Sequence, residues 1–147
     1  MATTQSRRFD ARLELFSAVH AFVERFCAGA GVDPRASAAL TLIVEELFAN
    51  SVQHGYRAAV SSAPEWPVWL TLAIASDCVE ALYEDATPAY NPFEKIARPD
   101  YSGPADTWPT GGLGVLLVAG HASDLDYQRK CSRNSIRFAV PMGGPGR

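Results

Sequence analysis

The amino-acid sequence predicts a two-layer α+β sandwich, in which helices cover one face of a mostly antiparallel sheet. Helical periodicity dominates residues 11–54, where apolar side chains recur every three or four positions. After residue 67 the pattern changes to the alternation that is typical of strands with one buried face. A chain whose helices come first and whose half-buried strands follow is best accommodated by one helical layer on one sheet.

Two helices are expected in the first part of the chain. The first spans residues 11–29, with Asp10 as its N-cap. The second begins with Asp33 as N-cap and Pro34 at the first helical position, where the missing N–H of proline costs nothing. Its apolar stripe continues to about His54, so this second helix is the longer of the two.

Strands are expected in the second part of the chain. Residues 68–74 alternate between apolar and polar faces, and a turn at Ser76-Asp77 leads into a second strand over residues 79–85. A closing hairpin over residues 125–140 surrounds the turn KCSRN. The face of each strand that lacks apolar residues should contact water.

The length and charge of the chain fit one soluble domain over residues 1–147, with flexible ends at about 1–6 and 143–147. The net charge of −3 gives no reason to expect nucleic acid or an anionic membrane as a partner. No apolar stretch reaches the roughly 18 residues that a membrane span requires.

Three cysteines, Cys27, Cys78 and Cys131, are too widely spaced for a paired metal-binding motif and odd in number. This pattern disfavours a disulfide framework or a zinc site. It fits a reducing environment, and a cytoplasmic location is expected.

Three polar residues share the arc of the second helix that should be apolar. At about 100° per residue, Glu46, Asn50 and His54 lie in line with Ile43 and its apolar neighbours, whereas Glu45 projects elsewhere. Each residue taken alone could bond to backbone or water at the end of the core stripe. Three in register favour a polar cleft above the sheet instead.

A glycine-rich segment, GGLG, offers a partner for that cleft. Free backbone N–H groups at the start of a helix bind anions well, although this short pattern is weak when taken alone. The candidate phosphate-binding residues are Gly111, Gly112, Leu113 and Gly114. Opposite them, Asn50 could supply one oxygen ligand to Mg²⁺ while phosphates and waters supply the rest. Glu46 would then be free to orient or deprotonate a nucleophile.

Asp85 is the third element of the candidate site. It closes a strand on the inward face, directly before the segment ATPAYNPF. A buried carboxylate there could accept a hydrogen bond from the exocyclic amine of adenine, although a turn-initiating aspartate is the common alternative.

The motifs together resemble the Bergerat-fold ATP-binding domains of gyrases, ninety-kilodalton heat-shock chaperones, histidine kinases and mismatch-repair ATPases. The resemblance extends from about Phe9 to Val140 and is most specific at E-x-x-x-N followed by H-G-Y, here Glu46, Asn50, His54, Gly55 and Tyr56. Within these families the chain is most similar to the stand-alone anti-sigma-factor serine/threonine kinases of bacteria. One departure is that Thr87 and Ala89 replace the special positions, mostly glycine, of the family's adenine box.

The resemblance implies ATP and Mg²⁺ as cofactors, Glu46 as general base, Asn50 as Mg²⁺ ligand and residues 91–110 as a lid over ATP. It implies a partner-switching kinase that holds a sigma factor or similar regulator and phosphorylates a Ser or Thr on an antagonist protein. The resemblance does not determine whether the chain forms a homodimer. The alternatives are a non-catalytic module that sequesters a partner, which Thr87 and Ala89 favour, and a slow ATPase switch.

Overall fold

The computed structural model describes residues 4–57, 65–93 and 122–143. Its elements are β1 (Thr4–Asp10), α1 (Phe16–Ala30), α2 (Pro34–Asn50), β2 (Pro67–Ala75), β3 (Cys78–Asp85), β4 (Ser123–Lys130) and β5 (Arg133–Pro141). A 3-10 turn at Leu13–Leu15 leads into α1, and a π-helical turn at Ser51–Tyr56 extends α2. No helix within the described ranges has the length and apolarity that crossing a lipid bilayer demands.

The five strands form one sheet in the order β1-β2-β3-β5-β4, and every neighbouring pair is antiparallel. The predicted α+β sandwich is therefore confirmed. The register places Asp85, the last residue of β3, between Val68 of β2 and Asn134 of β5. The polar ends of two central strands thus meet at one edge of the sheet.

The core lies between the two helices and one face of this sheet. On β3 the inward residues Val79, Ala81, Tyr83 and Asp85 are buried, whereas Glu80 is exposed, as the alternation predicts. The largest fully buried side chains come from both layers: Tyr83, Phe48, Phe138, Leu40, Ile43, Leu70, Leu72, Val19, Val23, Val44, Val52 and Val68. Burial of this apolar surface is the main force that holds the helices on the sheet.

The predicted start of α2 is confirmed. The carboxylate of Asp33 accepts the backbone N–H of Arg35 at 2.8 Å, and Pro34 occupies the first turn. The start of α1 differs from the prediction, because Asp10 ends β1 and caps no helix. Its carboxylate instead accepts the backbone N–H of Trp66 at 3.0 Å and pairs with Arg12, which ties the end of β1 to the start of β2.

Strand β1 was not predicted by the sequence. Residues 4–6, which belong to the end expected to be flexible at about 1–6, pair with β2. Only Phe9 in this strand is buried, so β1 shows little hydrophobic alternation. It is stabilised mainly by backbone hydrogen bonds to β2, which leave no pattern in the side chains.

A three-residue cluster joins α1 to α2 at the surface. His20 lies on α1, and its Nδ1 is 2.7 Å from Oε1 of Glu45 on α2, while its Nε2 contacts Glu24 one turn further along α1. Because both ring nitrogens face carboxylates, the doubly protonated imidazolium satisfies the cluster best. The two carboxylates, Glu45 foremost, raise the pKa of His20 above its ordinary value.

The second helix does not continue as an α-helix to His54. Regular α-helical geometry ends at Asn50, and residues 51–56 form a wider π-helical turn, in which the backbone N–H of Arg57 bonds to the carbonyl of Val52 at 3.1 Å. In such a turn each residue advances by less than the 100° of an α-helix. The prediction that α2 runs as an α-helix to about His54 is therefore wrong beyond Asn50, and His54 is exposed.

Candidate functional site

A cavity of about 600 Å³ lies at the edge of the sheet where α2 ends. The end of α2 and the π-helical turn form one side of it, and the ends of β3 and β5 with the segment after β3 form the other. The described residues that line it are Leu47, Asn50, Ser51, His54, Gly55, Tyr83, Asp85, Thr87, Pro88, Ala89, Tyr90, Pro92, Asn134 and Ile136. Its size and its mixture of apolar walls with few polar groups are typical of small-molecule sites.

Asp85 is the buried acid of this cavity, with 6% of its surface exposed. Its Oδ1 accepts three hydrogen bonds, from the Thr87 hydroxyl at 2.8 Å, the Thr87 backbone N–H at 3.3 Å and the Asn134 amide at 2.9 Å. Its Oδ2 accepts one, from the Ser51 hydroxyl at 2.6 Å. Burial of an unpaired carboxylate would be costly, and these donors offset that cost.

Ser51 connects the helix to the strand that carries the acid. Its hydroxyl lies 2.6 Å from the hydroxyl of Tyr83, which is fully buried below the cavity. Because the Ser51 proton goes to Asp85, Tyr83 donates to Ser51 in this arrangement. Burial raises the pKa of Tyr83 well above its ordinary value, so this phenol keeps its proton and remains a donor.

Thr87 and Gly55 are in close contact. A Cβ atom on Gly55 would lie 2.4 Å from Cγ2 of Thr87, a distance that real side chains do not adopt. Thr87 is only 3% exposed, so its methyl group packs against the π-helical turn while its hydroxyl faces Asp85. The side chain that replaces the family glycine is thus directed into the protein, and Gly55 provides the space for it.

Asn134 holds the segment after β3 in place. Its Nδ2 donates to Asp85, to the hydroxyl of Thr87 at 2.9 Å and to the carbonyl of Pro88 at 3.0 Å. Its Oδ1 accepts from the Tyr127 hydroxyl at 2.6 Å and from the backbone N–H of Tyr90 at 3.1 Å. Acceptors on one side and donors on the other fix the orientation of this amide.

Arg129 adds a second hydrogen bond from the same hairpin, because its Nη1 donates to the carbonyl of Thr87 at 2.7 Å. Asn134 and Arg129 face each other across the β4–β5 pair. The closing hairpin therefore positions the backbone of the segment that borders the cavity.

Tyr56 joins three elements around the cavity. Its hydroxyl donates to the carbonyl of Pro67 at 2.6 Å and accepts the backbone N–H of Ala86 at 2.8 Å, and its ring stacks on Trp66. Burial raises the pKa of Tyr56 to about 12, so the phenol remains protonated at neutral pH. The H-G-Y motif thus has a structural role: glycine makes room for Thr87, and tyrosine fixes the strand ends.

The three polar residues predicted on the inward arc of α2, Glu46, Asn50 and His54, differ in their positions relative to the cavity. Asn50 and His54 line the cavity. Glu46 is half-buried one turn before Asn50 and is not among the described residues of the cavity wall. Glu45 bonds to His20 and so faces α1, as its angular position predicts.

Of the remaining candidates, Asp85, Thr87 and Ala89 all border the cavity. The segment Gly111–Gly114 and most of the predicted lid lie outside the described residues.

The sequence reasoning missed Ser51, although the sequence contains a signal for it. It lies four residues after Leu47 on the buried stripe of α2, where a polar side chain needs a buried partner.

The described residues fit a magnesium nucleotide. Asn50 lines the cavity and carries an amide oxygen, and no three acidic, histidine or cysteine side chains of residues 4–57, 65–93 and 122–143 are grouped closely enough to hold a metal ion by themselves. A Mg²⁺ ion at Asn50 would thus complete its shell with phosphate oxygens and waters, its usual mode. Within the described part of the chain, Oδ2 of Asp85 accepts one hydrogen bond, from Ser51, and an amino group of a base could use its second lone pair.

Comparison with solved structures gives a crystal structure of the RsbU and RsbW domains of Rv1364c from Mycobacterium tuberculosis, with a TM-score of 0.62 and 17% sequence identity. The similarity covers 99% of this chain and 34% of that one, so the chain spans about a third of the length of the protein it matches. At this identity the match shows a common fold. No curated protein matches the chain. The family model of the histidine kinase-like ATPase domain matches residues 9–140, and the chain therefore belongs to this family.

Proposed function

We propose that the cavity binds ATP with Mg²⁺ and that the chain is a serine/threonine protein kinase of the anti-sigma-factor type, acting in the cytoplasm. The observation that carries the proposal is that Asn50 and Asp85, an oxygen ligand for a hard cation and an acceptor for a base, line the same cavity. Membership of the histidine kinase-like ATPase family supports ATP as the nucleotide.

The chain's own residues have separate roles in this proposal. Asp85 accepts a hydrogen bond from the amino group of adenine, and apolar side chains such as Leu47 and Ile136 cover the faces of the base. Asn50 holds Mg²⁺. When bound, the nucleotide supplies the phosphoryl group, and the metal neutralises the phosphate charge. Glu46, one helical turn before Asn50, takes the proton of the attacking hydroxyl on the protein substrate.

The proposed biological role is partner switching, with a sigma factor or similar regulator as the bound partner and an antagonist protein as the phosphorylation substrate. This role is supported by the motif similarity to anti-sigma-factor kinases. The RsbU and RsbW domains named for the similar crystal structure fit the same proposal.

A non-catalytic module that binds a partner is the second candidate. Two observations favour it: Thr87 and Ala89 replace the special positions of the family's adenine box, and Glu46 is not in the described part of the cavity wall. The contact of Thr87 with Gly55 opposes it, because the methyl group packs beside the π-helical turn and leaves only 3% of the residue exposed.

Transfer of radiolabelled phosphate from ATP to candidate antagonist proteins distinguishes the two. The kinase proposal expects Glu46→Gln to bind ATP normally but to transfer phosphate more slowly by roughly 10²–10⁴-fold, the usual contribution of a placed base. Glu45→Gln is the matched control and should transfer at nearly the parent rate, since Glu45 faces α1. If the parent protein binds its partner but transfers no phosphate, the non-catalytic module is correct. Phosphate release with no protein substrate would indicate a slow ATPase.

A further inference from the structure

The two carboxylate oxygens of Asp85 accept different numbers of hydrogen bonds. Oδ1 accepts from Asn134 and twice from Thr87, which exceeds its two lone pairs. Among the described residues, Oδ2 accepts only from Ser51, so one of its lone pairs has no described partner. Asp85 thus offers the cavity an acceptor on a single oxygen.

The hydroxyl of Thr87 determines which oxygen of Asp85 is the acceptor that faces the cavity. Its 2.8 Å hydrogen bond and the Asn134 bond pull the same oxygen of Asp85 toward the β5 side. The methyl group of Thr87 occupies the space beside Gly55 in which a side chain of residue 55 would lie. Thr87 therefore holds the carboxylate through its hydroxyl while its methyl group packs beside the π-helical turn.

We infer that Thr87 is a positioning residue that sets the base selectivity of the site. By holding Oδ1, it leaves Oδ2 as an acceptor for an exocyclic amino group, so the site takes a 6-amino purine and rejects a 6-oxo purine. The carbonyl of a 6-oxo base would oppose a carboxylate oxygen with no proton between them, and a site built on a buried polar group discriminates strongly against such a mismatch. This inference rests on the proposed nucleotide-binding function.

The test compares the dissociation constants of ATP and ITP, both with Mg²⁺, by calorimetric titration. Thr87→Val keeps the shape against Gly55 and removes the hydroxyl. The ratio of ITP to ATP dissociation constants should fall roughly tenfold, the size expected from one hydrogen bond to a charged group. Thr87→Ser keeps the hydroxyl and should retain the parent ratio. Thr71→Val, the same change at a threonine bonded to Ser6 in the β1–β2 pair, should also retain it.

The inference is overturned if folded Thr87→Val keeps the parent ratio of ITP to ATP dissociation constants. It is also overturned if the parent protein binds ATP and ITP equally. Either result leaves ATP binding intact. A parent that binds neither nucleotide overturns the proposed function itself. If circular dichroism shows that Thr87→Val is unfolded, the smaller Thr87→Ala is measured in its place. Thr87→Ala also lacks the hydroxyl, so a lowered ratio supports the inference and an unchanged ratio overturns it.

Discussion

Gly55 and Thr87 show how one residue depends on another across the cavity. A glycine is required at position 55 because the Thr87 methyl group fills the space of its side chain, and no positive φ is involved. The side chain of Thr87 is thus accommodated by a glycine elsewhere in the chain.

This dependence predicts the effect of Gly55→Ala. The new methyl group would collide with Thr87, so the free energy of unfolding should fall by about 1–3 kcal/mol, as for other overpacked sites. In a Thr87→Ser background, where Cγ2 is missing, the loss should be smaller. Urea unfolding measures both values.

The matched control for that experiment is Gly29→Ala. Gly29 lies in α1, and apart from its chain neighbours and its own helix backbone a methyl group added to it would meet no described atom within 4 Å, so alanine should be neutral or stabilise by up to about 1 kcal/mol. Equal losses in Gly55→Ala with and without the Thr87→Ser change would show that the collision is not the cause.

At the scale of elements, Tyr56 connects the π-helical turn to the ends of β2 and β3. In Tyr56→Phe the carbonyl of Pro67 and the N–H of Ala86 both lose their partner. The free energy of unfolding should fall by about 1–3 kcal/mol, the range for buried groups left unsatisfied. Hydrogen exchange at the Ala86 amide should accelerate, and unchanged protection there would contradict the assigned bond.

The His20 cluster makes the α1–α2 contact depend on pH. Because Glu45 and Glu24 raise the pKa of His20 above the ordinary value of 6.5, the folded state favours the protonated ring. The stabilisation is therefore fully present below pH 6.5 and is lost as the pH rises through the folded-state pKa. The difference in unfolding free energy between the parent and His20→Gln should be larger at about pH 6 than at about pH 9. A difference that is independent of pH would contradict the ion pairs.

The elements differ in how well the sequence predicts them. Asp33 and Pro34 mark the start of α2 through local chemistry, and the alternation in β3 gives its buried face directly. Strand β1 has one buried residue and depends on its pairing with β2, so local patterns miss it. The π-helical turn was also missed, because angles calculated for an α-helix assume that the same hydrogen bonding continues past Asn50.

For the whole molecule, the antiparallel order brings residues that are far apart in sequence to one edge of the sheet. Asp85 and Asn134 are direct neighbours on β3 and β5, and α2 ends beside them with Asn50 and Ser51. The sequence predicts Asp85 from its position at the end of a strand and Asn50 from its place on the inward arc of α2. The roles of Ser51 and Asn134 depend on strand register and helix placement, which only the three-dimensional structure provides.

The central claim is that this cavity binds magnesium ATP through Asp85 and Asn50, and calorimetric titration with ATP in Mg²⁺ or in EDTA tests it most directly. The parent protein should bind more tightly with Mg²⁺. Asp85→Ala should lose roughly tenfold or more in affinity under both conditions, and Asn50→Ala should lose as much only when Mg²⁺ is present. In EDTA, Asn50→Ala and the parent should be equal. If folded Asn50→Ala binds magnesium ATP as tightly as the parent, or folded Asp85→Ala keeps the parent affinity, the assignment of this cavity is wrong.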